Sequence, residues 1–167
     1  MFHRRRFALL ALSTLLLFSL ASAQDQKEGP APRFRAKTMA GESFNNESVK
    51  GKVVLLEFWT TWCPYCRREE EMIDEIDKEF SPKGLVVLAI DVGESKKIVK
   101  QYLQDNPRSC KIVLMQDTNL AAMYEAKSYP IYVVIDREGN IAGTQRGAAG
   151  ERGLRDMLKR AGLEGGE

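Results

Sequence analysis

Histidine is almost missing from this chain: the one histidine among 167 residues is His3. Once the first segment is removed, as argued below, no imidazole remains to build a Cys-His or Ser-His nucleophile or to bind zinc, so much hydrolase and metal chemistry drops out. Cysteine is scarce as well. Cys63, Cys66 and Cys110 are too few for a disulfide-stapled small domain, and they are odd in number. An excess of one charge is lacking too. Setting aside Arg4, Arg5 and Arg6 of the removable segment leaves 22 of the 25 basic residues against 23 acidic ones, a net charge near −1. A near-neutral surface without a basic stripe disfavours nucleic acid as a partner.

Long apolar runs are confined to one place. Phe7 to Leu20 follows His3-Arg4-Arg5-Arg6 and precedes the small residues Ala21-Ser22-Ala23, the pattern of a secretory signal cut after Ala23. Its apolar core of about 14 residues is shorter than the roughly 20 that a spanning helix needs, which makes an uncleaved membrane anchor the weaker alternative. Arg4-Arg5-x-Phe7 suits a twin-arginine signal and an ordinary export signal alike. The mature chain is then extracytoplasmic, where thiols meet an oxidising compartment. Residues 24–32 read as a flexible lead-in, 33–162 as one globular domain and 163–167 as a tail. With 44% hydrophobic and 29% charged residues, the domain has enough apolar surface to fold on its own.

Val53 to Trp59 and Leu85 to Val92 are continuous apolar runs, as expected of strands covered on both faces. Met72, Ile73, Ile76 and Phe80 follow the first at helical spacing, and Ile98, Val99, Tyr102 and Leu103 follow the second. A short strand at Ile112 to Met115 follows, then a helix capped within Asp117 to Asn119 and running through Ala126. Next come a strand at Ile131 to Ile135, a Gly139-Asn140 hairpin turn into Ile141, and a last helix through Leu154, Met157, Leu158 and Ala161 ended by Gly162. The order is β-α-β-α-β-α-β-β-α, with Phe34 to Met39 as part of an N-terminal edge hairpin.

Trp62-Cys63-Pro64-Tyr65-Cys66 stands where the first apolar strand meets its helix. With Cys63 as N-cap, Pro64 takes the first helical position, where a missing N–H costs nothing. The Cys66 N–H then points back at the Cys63 sulfur. Free amides and the helix dipole favour a thiolate there, so Cys63 is the expected nucleophile. Cys66, one turn further in, is close enough to close a disulfide and resolve an adduct. A zinc site lacks its other ligands, and Arg67 stands where haem attachment needs histidine. Two carboxylates accompany the dithiol: Glu57 interrupts an apolar strand, and Glu69 falls on the core-facing stripe that runs from Cys66 to Ile73. Cys110 reads as a buried free thiol, Trp59 as core, and Trp62 as part of a partner-facing surface.

Phe58-Trp59-Thr60-Thr61-Trp62-Cys63-x-x-Cys66-Arg67-x-Glu69 resembles the thioredoxin superfamily, and within it the exported ResA/TlpA-like branch. Gly51-Lys52-Val53-Val54-Leu55, Tyr129-Pro130 and Asp136 to Ile141 fit the same pattern in order. The resemblance implies a thioredoxin-like α/β fold, with a mixed four- to five-stranded sheet flanked by helices. It further implies a cis peptide at Tyr129-Pro130 facing the dithiol, and a substrate strand held there beside Trp62, Pro64 and Tyr65. Glu57 matches a buried acid that would take the proton from Cys66. Glu69 matches an active-site glutamate that would raise thiol pKa values. The implied activity is thiol-disulfide exchange with protein thiols, reductive in direction, as on apocytochrome c. Electrons would come from a membrane thiol reductase of the CcdA/DsbD type, with no cofactor beyond the Cys63-Cys66 disulfide. Pro64-Tyr65 departs from the branch toward the glutaredoxin dipeptide, and Tyr129 is bulkier than the residue common before the cis-proline.

Three other activities compete: a DsbA-like oxidant, a peroxiredoxin-like peroxidase, and a non-enzymatic copper-binding module. Thr60-x-x-Cys63 fits part of the peroxiredoxin motif, although Leu56 replaces its preceding proline. Two thiolates can hold Cu(I).

Overall fold

Strand β3 (Val53–Trp59, VVLLEFW) is buried at every position and lies in the interior of the sheet. Its neighbours are β4 (Leu85–Asp91), parallel from Val53↔Leu85 to Trp59↔Asp91, and β6 (Ile131–Ile135), antiparallel. This placement is why β3 and β4 read as unbroken apolar runs, because helices and loops cover both faces of a central parallel pair. The computed structural model describes residues 28–164. The export signal expected at residues 1–23 lies outside the described residues.

Around that pair the sheet order is β2-β1-β5-β4-β3-β6-β7, with β1 at Arg35–Thr38, β2 at Ser43–Asn45, β5 at Lys111–Thr118 and β7 at Ile141–Arg146. Five strands make the expected mixed sheet. The N-terminal hairpin of β1 and β2 joins it through antiparallel β1–β5 pairing, giving seven strands in all. Helices α1 (Pro64–Phe80), α2 (Lys96–Asp105), α3 (Leu120–Met123) and α4 (Gly150–Arg160) complete the predicted order.

Alternation along β3 sorts the core into two layers. Val53, Leu55 and Trp59 meet Ile73, Ile76 and Phe80 of α1, together with Leu154 and Leu158 of α4. Val54, Leu56 and Phe58 meet Phe34, Val49 and Leu120 on the other face. Each fully buried aliphatic or aromatic side chain contributes about 1.5–3 kcal/mol.

Several boundaries differ from the sequence reading. β5 runs three polar residues past Met115, two of them exposed and Thr118 half-buried, because backbone pairing to β1 (Ala36↔Thr118) extends it without an apolar signal. That pairing consumes Asp117 and Thr118, so α3 is one turn starting after Asn119. Ile98, expected on the buried face of α2, is exposed, and Val99 fills that place. The lead-in is tied down over its described part: Glu28 N–H donates to Ile141 O, Ala31 N–H to Gly139 O, and Pro30 bridges Asn140. The assigned tail begins with a core residue, Leu163, which is buried and whose N–H donates to Leu158 O.

Candidate active site

Cys63 has extended backbone angles (φ −75°, ψ 111°) and caps α1, with Pro64 opening the helix; the Cys66 N–H donates to Cys63 Sγ at 3.2 Å. The capping geometry read from the sequence is therefore present. Cys63 and Cys66 are joined in a disulfide, with their Cα atoms 5.3 Å apart. Cys63 is 3% exposed and Cys66 fully buried, so Cys63 is the one of the pair that reaches solvent. The rim around it is apolar and open: Trp62 and Tyr65 are exposed to 66% and 53%, and Pro64 is exposed. The Tyr129-Pro130 peptide is cis, as the resemblance implied. Tyr129 meets Trp62 edge-on at 6.0 Å between ring centroids, and Arg68 lies 4.5 Å from the Tyr65 ring.

Carboxylates from β3 and α1 gather on the α1 side of the sheet. Glu57 is fully buried, so it does not bend to solvent at the end of its strand. Its position on β3 places it on the α1 face with Leu55 and Trp59, paired across the sheet with Tyr132. Arg108 Nη2 donates to Glu57 Oε2 at 3.1 Å, while Glu57 Oε1 has no hydrogen-bond partner among the described residues. Burial pushes the Glu57 carboxyl above its ordinary value, and Arg108 pulls against that rise. The Arg108 side chain is 1% exposed and also reaches Asp74 Oδ1 at 3.1 Å and Glu70 Oε1 at 3.7 Å, with its guanidinium over the Trp59 ring.

Glu69 is also buried, although it sits in the charged run from Arg67 to Glu71. The structure gives it a task that the sequence did not suggest. Its carboxylate accepts the Gly150 N–H at 2.6 Å, the Ala149 N–H at 3.2 Å and the Tyr132 hydroxyl at 2.9 Å. It thus ties α1 to the start of α4 one turn below Cys66, where unpaired amides attract negative charge. Glu70 faces the other way. The Tyr102 hydroxyl donates to both its oxygens at 2.8 and 2.9 Å. Burial raises the Glu70 carboxyl, and burial together with that bond pushes Tyr102 up to about 12.

A second acidic pair lies at the end of β4. Asp91 is fully buried, and Glu94 in the connection to α2 accepts two bonds from Thr61, in the loop that delivers Cys63. Cys110 is buried and free, and burial pushes its thiol well above the ordinary range. Sequence reasoning singled out Cys63, Cys66, Glu57, Glu69, Trp62, Pro64, Tyr65, Tyr129 and Pro130. It missed Arg108, Glu70, Tyr132, Glu94 and Asp91. Glu70 alone carried a local signal, adjacency to the buried stripe of α1.

Among the described residues no helix is long and apolar enough to cross a membrane. A model of the AhpC/TSA family matches residues 28–144. The thioredoxin-like protein YneN of Bacillus subtilis is 32% identical over 135 residues, covering 80% of this chain and 79% of that protein. The thiol-disulfide oxidoreductase ResA of the same organism is 29% identical over 128 residues, covering 77% of this chain and 72% of ResA. A solved thiol:disulfide interchange protein of the thioredoxin family from Chlorobium tepidum TLS superposes with a TM-score of 0.71 at 27% identity, covering 81% of this chain and 97% of its own.

Proposed function

This chain belongs to the AhpC/TSA family of thioredoxin-like proteins and is a thiol-disulfide oxidoreductase with a Cys63-Cys66 centre; from that premise we propose that it works outside the cytoplasm as a reductant of protein disulfides. The observation that carries the direction is the negative charge close to the helix that bears both thiols: Glu57, Glu70 and Asp74 share one guanidinium, and Glu69 lies one turn below Cys66 against the start of α4. Negative charge there opposes thiolate formation, which destabilises the reduced enzyme and makes it a better electron donor.

In the reduced enzyme the Cys63 thiolate attacks one sulfur of a client disulfide, and the other client sulfur leaves as a thiolate. A Cys63-client mixed disulfide results. Glu57 then takes the proton from Cys66, whose thiolate attacks the Cys63 sulfur; the client leaves with both sulfurs reduced, and the enzyme keeps the disulfide. Trp62, Tyr65 and Tyr129 offer the client an apolar seat, and the backbone at Tyr129-Pro130 pairs with its extended segment. Glu69 adds its charge to the environment of both thiols. An apocytochrome c with paired cysteines suits this site as client, and a membrane dithiol reductase of the CcdA/DsbD type suits it as electron donor. No organic cofactor or metal enters the cycle. Export by the residue 1–23 signal brings the chain to that compartment.

The reduction potential tests the direction. A value near that of thioredoxin, about −270 mV, fits a reductant, whereas one near about −120 mV, the range of DsbA, fits an oxidant and overturns the proposal. Adducts trapped by Cys66→Ala in the native host identify the clients. The family match also keeps a peroxidase in view. Peroxide consumption by Cys66→Ser at rates competitive with disulfide exchange would favour it, against the expectation set by Leu56 in place of the motif proline.

A further inference from the structure

Thr61 stands two residues before Cys63, in the segment that leads from β3 to the cap of α1. Its N–H donates to Glu94 Oε2 at 2.6 Å and its hydroxyl to Glu94 Oε1 at 2.7 Å. One carboxylate thus grips a single loop residue with both oxygens. The same turn closes through the Cys63 N–H, which donates to Thr60 O at 3.2 Å, so whatever fixes Thr61 also fixes how Cys63 faces the helix.

Glu94 is itself held. Its N–H donates to Asp91 Oδ1 at 3.1 Å. Asp91 ends β4 with no solvent exposure, and its Oδ2 is buried without a donor. Two adjoining carboxyls, one of them buried, do not both ionise readily. A proton retained on Asp91 donates to the Glu94 carboxylate and completes a chain from Asp91 through Glu94 to Thr61. Burial, reinforced by Glu94, pushes Asp91 up to about 8. Burial works to raise Glu94 as well, but the bonds from Asp91 and Thr61 outweigh it and hold Glu94 below its ordinary value.

We propose that Asp91 is a positioning residue for thiol-disulfide exchange: its protonated carboxyl holds Glu94, Glu94 holds Thr61, and Thr61 fixes the turn that seats Cys63 over the first amides of α1. This rests on Cys63 being the attacking thiol, and it is independent of the direction of electron flow and of Glu57. Ionisation of Asp91 removes the donor and sets a second negative charge against Glu94, so the grip loosens as pH rises through the value at which Asp91 ionises. The titratable groups around Asp91 are Glu94 from the α2 connection and Tyr129 from the approach to β6, whose hydroxyl is raised by burial and by Asp91. Its sheet neighbours, Trp59 on β3 and Leu114 on β5, carry no charge.

The test follows Cys63 alkylation by iodoacetamide in the reduced full chain from pH 5.5 to 9.5, with thermal unfolding measured alongside. The wild-type rate curve departs from a single thiol ionisation near pH 8. Asp91→Asn keeps a donor to Glu94 at every pH; it retains the wild-type rate at pH 6.5 within about twofold and follows a single ionisation. Asp91→Ala and Glu94→Ala slow Cys63 about fivefold at pH 6.5. Thr61→Val, a change in a half-buried loop residue that removes one of the two bonds, slows it about twofold and preserves the fold. Curves for Asp91→Ala or Thr61→Val that superpose on wild type, with only the melting temperature lowered, overturn the clamp alone. Equal reactivity of Cys63 and Cys66 in the wild type defeats the nucleophile assignment and the clamp with it.

Discussion

Replacing Arg108 by Met removes the cation that Glu57, Glu70 and Asp74 share. The Arg108 side chain is 1% exposed and Glu57 is fully buried, whereas Glu70 and Asp74 keep 12% and 13% side-chain exposure. Water can therefore attend to the outer two carboxylates but not to Glu57. Breaking a buried ion pair from one side costs about 3–5 kcal/mol. With a urea slope of about 1–3 kcal/mol per molar, the unfolding midpoint falls by roughly 2 M. The loss has a pH signature. Burial already raises Glu57 and Glu70 above their unfolded values. A carboxyl raised in this way contributes stability that is full below its unfolded pKa and is lost as pH rises through its folded one. Without Arg108 the Glu57 carboxyl rises further, so the deficit of Arg108→Met relative to wild type deepens from pH 5 to pH 8. Adding Glu57→Gln to Arg108→Met removes the stranded charge and recovers most of the midpoint, because neutral replacement of a buried pair is nearly neutral in stability. Urea titrations of the three variants at pH 5 and pH 8 check this. Equal losses at both pH values, or a double variant no more stable than Arg108→Met, would refute the reasoning.

Three further outcomes are expected. Glu57→Gln slows release of a trapped mixed disulfide by about 100-fold or more at neutral pH, the scale of lost acid-base assistance, while the first attack by Cys63 stays within about twofold; equal release rates across pH count against the proton role. Glu69→Gln lowers the thiol pKa by about two units, the effect of removing a like charge one helical turn away at an effective dielectric near 20, and also lowers the melting temperature because the α4 amides lose a charged acceptor; an unmoved thiol titration leaves Glu69 with the structural task alone. Trp62→Ala, at a 66% exposed position, raises KM for a protein substrate about tenfold, in the range of interface aromatics, with kcat for a small disulfide unchanged; an unaltered KM removes Trp62 from the docking surface.

What was legible in the sequence was what local rules encode. The two apolar runs announced β3 and β4, the Cys-Pro-x-Cys spacing announced a capped helix, and Cys66, Glu69, Ile73, Ile76 and Phe80 do form one buried stripe. What escaped depends on convergence from distant segments. Arg108 sits between Pro107 and Ser109 in what reads as a solvated loop, yet its guanidinium reaches a strand 51 residues earlier. Glu94 stands in a Gly-Glu-Ser turn that gives no hint of a bond to Thr61 33 residues away. The partners of Glu69 at the start of α4 lie 80 and 81 positions downstream, so its spacing revealed burial but not its task. The end of β5 was invisible for another reason: its last residues are polar, and only backbone pairing makes them a strand.

The division of labour between the two cysteines is tested most directly by a single-turnover reaction of reduced protein with a disulfide-bonded substrate, followed by acid quenching and mass analysis. Cys66→Ser is predicted to accumulate the substrate adduct on Cys63 in near-stoichiometric amount, while Cys63→Ser forms none on the same timescale. Adducts that form equally in both variants, or in neither, would contradict a helix-capping Cys63 nucleophile resolved by Cys66.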